Sequence, residues 1–374
     1  MQDQPSSPTQ IPFQELLDAL LDVDTPFAAR YLYRLSDLIP EDLERLTGIW
    51  MQIPDWRRKA LLEDIEMLGE RDTLLSFETL ARFALEDPQP QVRKPAVRAL
   101  WVYEQPRLIP ILLQMLEHDP DDSVRATVAG ALGQFVYLGE IEEIPAETLH
   151  TIEDRLLKLY RNSPENPTTQ RKAVEALGYS SRAEVLPLIE AASRQESAEW
   201  QTSALIAMGR SADSRWEPYI LERLSSPLAV LRTEAARAAG EIEIEAAVPQ
   251  LIKLAASQDK ALASASIWSL SQIGGRGVRQ ALERLYRATR DDAQAEFLEN
   301  ALDNLAFTEG VEGFTLFDVS SEESEAAEAD AYADFEEDDY EDDDYEALDY
   351  ASIEELLDDD LFDPQDAEDD SEIR

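Results

Sequence analysis

The chain has 374 residues, and 33 basic against 79 acidic side chains leave it a net charge of −46. That excess excludes a general affinity for nucleic acid phosphates or for an anionic membrane face, so neither partner is expected. Cysteine is absent, which removes disulfides, thiolate metal sites and Cys nucleophiles.

Residues 1–10 are polar and rich in Pro and Ser, with neither the cationic leader nor the apolar core of a signal peptide. No run of about 18 apolar residues follows, so a cytoplasmic protein is expected. Residues 1–24 read as a flexible arm with one short amphipathic helix. Behind Pro12, Ile11, Phe13, Leu16, Leu17, Leu20 and Leu21 fall at helical spacing and can cover the end of whatever comes next.

Residues 25–50 carry two helical patterns, one through Phe27, Tyr31, Leu32 and Leu35, the other through Leu43, Leu46, Ile49 and Trp50. Pro40, Glu41 and Asp42 mark the second start, with acids where the helix dipole favours them. A third helix is predicted over 54–68, ending at Gly69, and a fourth over 73–85.

From Asp87 a register becomes explicit. Asp87-Pro88, Val92-Arg93, Ala96, Ala99-Leu100 and Trp101 align with Asp119-Pro120, Val124-Arg125, Val128, Ala131-Leu132 and Gly133, a step of 32. Counted by the last residue of each run, the markers are Gly69, Trp101, Gly133, Gly178, Gly209, Gly240 and Ser271, and the last three steps are each 31. Such a period indicates stacked repeats, each one helical hairpin that buries its apolar face on its neighbours. The one long step, from Gly133 to Gly178, predicts an inserted loop of about 14 residues over 138–151. Pro110, Pro187, Pro218 and Pro249 lie nine residues after four markers and place the second helix of each hairpin.

The Ala residues before each marker let first helices approach closely, and the marker Gly can adopt the left-handed conformation that ends a helix. The Val-Arg and Leu-Arg pairs predict cations reaching the Asp turn of the next repeat, an Arg ladder of structural purpose. Trp101 and Trp200 occupy core registers. Trp216 and Tyr219 flank Pro218 and are read as a binding patch on a concave layer of second helices.

Arg276, Arg279, Arg287 and Arg290 project within about 80° of one another at 100° per residue. Glu283 among them allows ordinary i,i+4 pairs; alternatively the strip docks an acidic partner or the chain's own tail. Residues 291–307 read as a capping helix, and 25–310 as the folded body. Residues 311–374 form an acidic low-complexity tail, with 28 acids against a single Arg from Thr315 onward, and are expected to be disordered. Within it Ile353, Leu356, Leu357, Leu361 and Phe362 fit a helix that folds on binding.

The run Asp-Pro, Val-Arg, Ala, Ala-Leu-Gly, followed by a Pro opening a second helix, resembles the short HEAT-like repeat of phycobilisome lyases and many bacterial scaffold proteins. The resemblance covers Arg57 to about Phe307 and implies an all-α solenoid of seven to eight hairpins. The function it implies is a non-enzymatic scaffold, with a subunit of a chromophore lyase or related modifying enzyme as the alternative. Departures are Gln201 and Ala263 where the Arg is expected, and Ser271 for Gly.

Catalytic chemistry finds little footing. His118 and His150 lack metal-binding spacing, and the paired His-Glu motifs of HEAT-like diiron hydroxylases are missing. His118 reads as a helix C-terminal residue. Gly274-Gly275-Arg276-Gly277 lacks a phosphate loop's Lys and reads as a turn, and the Asp blocks at 342–344 and 358–360 lack EF-hand spacing. The chain is thus expected to be a monomer with no cofactor and no defined metal site. It binds protein partners, basic ones included, with the tail modulating access.

Overall fold

A computed structural model describes residues 11–163 and 166–315. The described residues form helices and connecting turns, with no strand among them. Helix α1 (Phe13–Leu21) buries Phe13, Leu16, Leu17 and Leu20. Arg57 clamps it: Nη1 donates to the Ala19 carbonyl at 2.9 Å and Nη2 to that of Thr25 at 2.9 Å. The first satisfies a carbonyl that the end of the helix leaves open, and the second ties down the segment that follows it. From Ile11 onward the predicted arm is therefore a docked cap.

A 3-10 segment (Ala29–Leu35) and α2 (Pro40–Trp50) follow. Seven regular hairpins come next: α3 (Asp55–Arg71) with α4 (Glu78–Ala84), α5 (Pro90–Ala99) with α6 (Ile109–His118), and α7 (Asp122–Glu140) with α8 (Ala146–Asn162). Then come α9 (Pro167–Leu177) with α10 (Val185–Ser193), α11 (Ala198–Arg210) with α12 (Glu217–Arg223), α13 (Ala229–Glu241) with α14 (Val248–Leu254), and α15 (Lys260–Ile273) with α16 (Val278–Ala288). Helix α17 (Asp292–Thr315) closes the array and runs past Gly310, where the folded body was expected to end.

The marker glycines do not stop helices. Gly69, Gly133, Gly209 and Gly240 lie inside helices, and Gly178 caps α9 in right-handed geometry. Left-handed backbone falls instead on Ala212 and Glu243, three residues after Gly209 and Gly240. The glycines serve a close approach. A Cβ would stand 3.1 Å from the Ala176 Cα at Gly133, 2.7 Å from the Ala207 Cα at Gly178, 3.1 Å from the Ala238 Cα at Gly209, and 2.8 Å from the Ser269 Cα at Gly240. Each partner sits two residues before the next marker, so the repeat encodes a backbone-to-backbone seam between successive first helices.

That seam sets the curvature. First helices pack directly on one another from α3 to α15, whereas α10 and α12, or α12 and α14, barely touch. A stack drawn tighter in one layer bends toward that layer, so the first helices line the inner face. The predicted concave layer of second helices is the outer one.

The long step is not a loop. It lengthens α7 to 19 residues and α8 to 17, leaving only 141–145 as a turn. Leu138, Ile144 and Leu149 are buried, so each added turn has an apolar face to cover.

The Arg ladder forms in the first half. Arg93 grips Asp119 with two bonds of 2.7 Å and also donates to the Asp87 carbonyl at 2.8 Å. Asp87 is in turn held by Arg58 at 3.2 Å and by the Trp50 indole N–H at 2.8 Å. Arg125 donates to the Asp119 carbonyl and pairs with Asp122, and Arg232 donates to the Ser226 and Pro227 carbonyls, so both stay within their own turns. The next turns carry no Asp-Pro for them to grip, and the ladder ends.

Candidate functional site

The sequence-predicted patches do not form as expected. Trp216 is 7% exposed, and Tyr219 is half-buried. The Tyr219 hydroxyl donates to the Ser193 carbonyl at 3.2 Å, and the Arg223 guanidinium lies 4.4 Å from its ring centre. Burial pushes the Tyr219 hydroxyl above its ordinary range. Both residues belong to the outer layer and pack there. Trp101 errs the other way: α5 stops at Ala99, which leaves Trp101 in a turn, 47% exposed. Trp200 packs partly buried against the core.

Of the four arginines, Arg279 and Arg287 lie on α16, while Arg276 precedes it and Arg290 follows it. Arg287 pairs with Glu283 at 2.9 Å. The four therefore do not share one helical strip. His118 ends α6, its Nδ1 lying 3.2 Å from the Gln114 carbonyl. No three His, Asp or Glu side chains are grouped to hold a metal among the described residues. Ile353, Leu356, Leu357, Leu361 and Phe362 lie outside the described residues.

The inner face displays chemistry that the repeat itself does not encode. Relative to each marker, the positions six before, three before and one after look into the curve. In four consecutive repeats these columns read Thr127, Lys172, Ser203, Glu234; then Gly130, Glu175, Ile206, Arg237; then Gln134, Tyr179, Arg210, Glu241. The spacing repeats while the chemistry does not. That contrast is the signal a sequence reading can use once the inward columns are known.

At the centre Glu175 is 5% exposed and fully engaged. It accepts from the Ser203 hydroxyl at 2.6 Å and from Lys172 Nζ at 2.6 Å. Arg210 donates to the Glu175 carbonyl at 2.8 Å and lies 4.9 Å from the Tyr179 ring centre. Tyr179 meets Tyr137 at 5.4 Å. One helix on, Glu234 pairs with Arg237 at 2.6 Å, and burial raises its carboxyl above the usual range despite that cation.

Glu241 is pushed up to about 7, by burial first and then by Glu234, with Arg210 and Arg237 opposing. Its side chain is nevertheless open to solvent. Protein mass on several sides together with access to water is what a concave wall produces. Glu234, Glu241, Lys172, Arg210 and Arg237 thus stand together on the inner wall around the buried Glu175, and a group that titrates near neutrality is where binding chemistry concentrates.

The sign of the Glu241 effect follows from linkage. Its folded pKa lies above its ordinary 4.5, so the folded chain binds the proton more tightly than the unfolded chain. Its contribution is then present at low pH and is lost as pH rises to about 7. Urea midpoints should fall more steeply across this window in the parent chain than in Glu241→Gln; parallel curves would contradict the assignment.

The family model for HEAT repeats matches residues 77–146 and 217–305. Those two regions are HEAT repeats. The HEAT array resembles several solved structures. One is the crystal structure of Escherichia coli YibA, 16% identical over 74% of this chain and 95% of that one, with a TM-score of 0.38. The complex of CpcE and CpcF of phycocyanin lyase from Nostoc is 18% identical over 61% and 94%, with a TM-score of 0.41. Human deoxyhypusine hydroxylase is 16% identical over 79% and 97%, with a TM-score of 0.32. No curated protein matches the chain in sequence. No helix among its described residues is long and apolar enough to cross a membrane.

Proposed function

We propose that the chain is a non-enzymatic scaffold that holds a protein partner on its concave inner face. The observation that supports this reading most is the set of inward columns at the array's centre, where packing positions repeat and the inward positions differ in charge and shape. A surface whose frame is constant and whose display varies suits recognition of one partner over others. On this reading the scaffold is a cytoplasmic monomer. The acidic residues beyond 315 compete for basic segments of the partner and so tune its access.

The test is capture of partners by the full chain compared with a Lys172→Glu, Arg237→Glu double variant and with an outer-layer Arg284→Glu variant. A partner held through the inner face should lose about tenfold in retention, about 1.4 kcal/mol, with the inner variant only. Equal retention by the inner variant, or loss with the outer variant alone, rejects the reading.

A further inference from the structure

The first-helix layer is uncovered at its N-terminal end. In later repeats the positions nine, five and two before the marker are buried: Leu231, Ala235 and Ala238 in α13, and Leu262, Ala265's neighbour Ser266 and Ser269 in α15. The position two before the marker is covered by the marker of the preceding repeat. In α3 the same three positions are Ala60, Asp64 and Met67, and all are exposed, Met67 at 49%. The reason is topological. The unit before α3 offers a 3-10 segment and the α1 cap where a regular first helix would lie.

Trp56, 54% exposed, extends this stripe by one turn. It lies eleven residues before Met67, so at 100° per residue the two share a face about three turns apart. Two adjoining cavities of about 390 and 510 Å³ run along the stripe and share Ala60 and Asp64. Acids outnumber cations along them, with Asp24, Glu63, Asp64, Glu66 and Glu70 against Arg57 and Arg98. Glu63 is held by Lys59 at 3.1 Å and Glu66 by Arg98 at 2.7 and 2.8 Å, whereas Asp64 and Glu70 form no ion pair among the described residues. Burial, and then Glu63, hold the Asp64 carboxyl above its ordinary value.

We propose that this open edge docks one α-helix of a partner protein, seated where a preceding first helix would stack, with two apolar side chains about three turns apart and Lys or Arg between them. Shape asks for a helix, because the edge is the seam that first helices fill elsewhere in the array. Trp56 and Met67 supply the two apolar contacts, and Asp64 and Glu70 the sites for the cations. The proposal rests on the scaffold reading but uses a place remote from the central columns.

The probe is a fluorescein-labelled, Ala-based helical peptide with Leu at two positions eleven apart and Lys between them, titrated into the full chain by anisotropy. Saturable binding should weaken about tenfold in Met67→Asp and in Asp64→Asn, Glu70→Gln. It should be unchanged in Glu196→Gln, Glu245→Gln, which removes the same charge elsewhere, and in Lys172→Glu, Arg237→Glu. The last comparison separates failure of this edge from failure of the central face. Equal weakening by the distant neutralisation means diffuse attraction to an acidic chain and overturns the proposal, as does binding indifferent to the edge variants. A dimer in light scattering that Met67→Asp dissolves also overturns it, because a second copy then fills the edge.

Discussion

An Asp119→Ala chain is expected to unfold with about 3–5 kcal/mol less free energy than the parent, because the change strands a buried cation. Arg93 and Asp119 are both 7% exposed, and the two bonds of 2.7 Å between them span successive repeats. Without the carboxylate, Arg93 keeps only the Asp87 carbonyl, and the Asp121 N–H loses its acceptor at 2.9 Å. Removing both charges as Arg93→Met, Asp119→Leu should recover much of the loss, since a paired charge gains little over apolar packing. Urea unfolding followed by circular dichroism measures both chains. If Asp119→Ala falls within about 1 kcal/mol of the parent, the ladder is a surface ion pair in energetic terms.

Gly178→Ala and Gly48→Ala should move stability in opposite directions. At Gly178 a Cβ meets the Ala207 Cα at 2.7 Å and its carbonyl oxygen at 2.9 Å, and backbone cannot swing aside as a side chain can. Overpacking of this kind costs about 1–3 kcal/mol. A β-branched Val, with more bulk at the seam, should cost more. Gly48 sits inside α2 with nothing within 4 Å of its Cβ position, so Ala there gains about 0.8–1.0 kcal/mol of helix propensity. Thermal midpoints of the two variants give the signs directly. Stabilisation by both would mean that the seam is looser than its geometry states.

The marker glycines show how far the sequence could be read. Their spacing located every regular hairpin, because a period of 31 or 32 arises only when each unit stacks on the next. Their purpose was misread. Gly at the end of an Ala-rich run commonly means a left-handed stop, and the alternative, a close helix approach, is a property of two helices a repeat apart. The prolines were read correctly because their effect is local: Pro110, Pro218 and Pro249 lie in the first two positions of their helices. The Val-Arg pairs pointed to Asp119 because the Asp-Pro turn stood in the aligned register.

The candidate sites were less legible. Trp216 caps the second helix it is expected to flank but lies in the other layer, since which layer is inner depends on relative spacing, and the Gly-to-backbone seam sets that spacing. The extra 14 residues after Gly133 read as a loop because they interrupt a count, although their own apolar pattern continues two helices. Glu175, Arg210 and Glu241 come from three helices and share no local motif. Local covalent constraint and periodic burial were enough to specify the helices, their order and the repeat. The direction of curvature, the charged inner wall and the uncovered edge of α3 depend on how neighbouring repeats touch, and a period states that they touch without stating how closely.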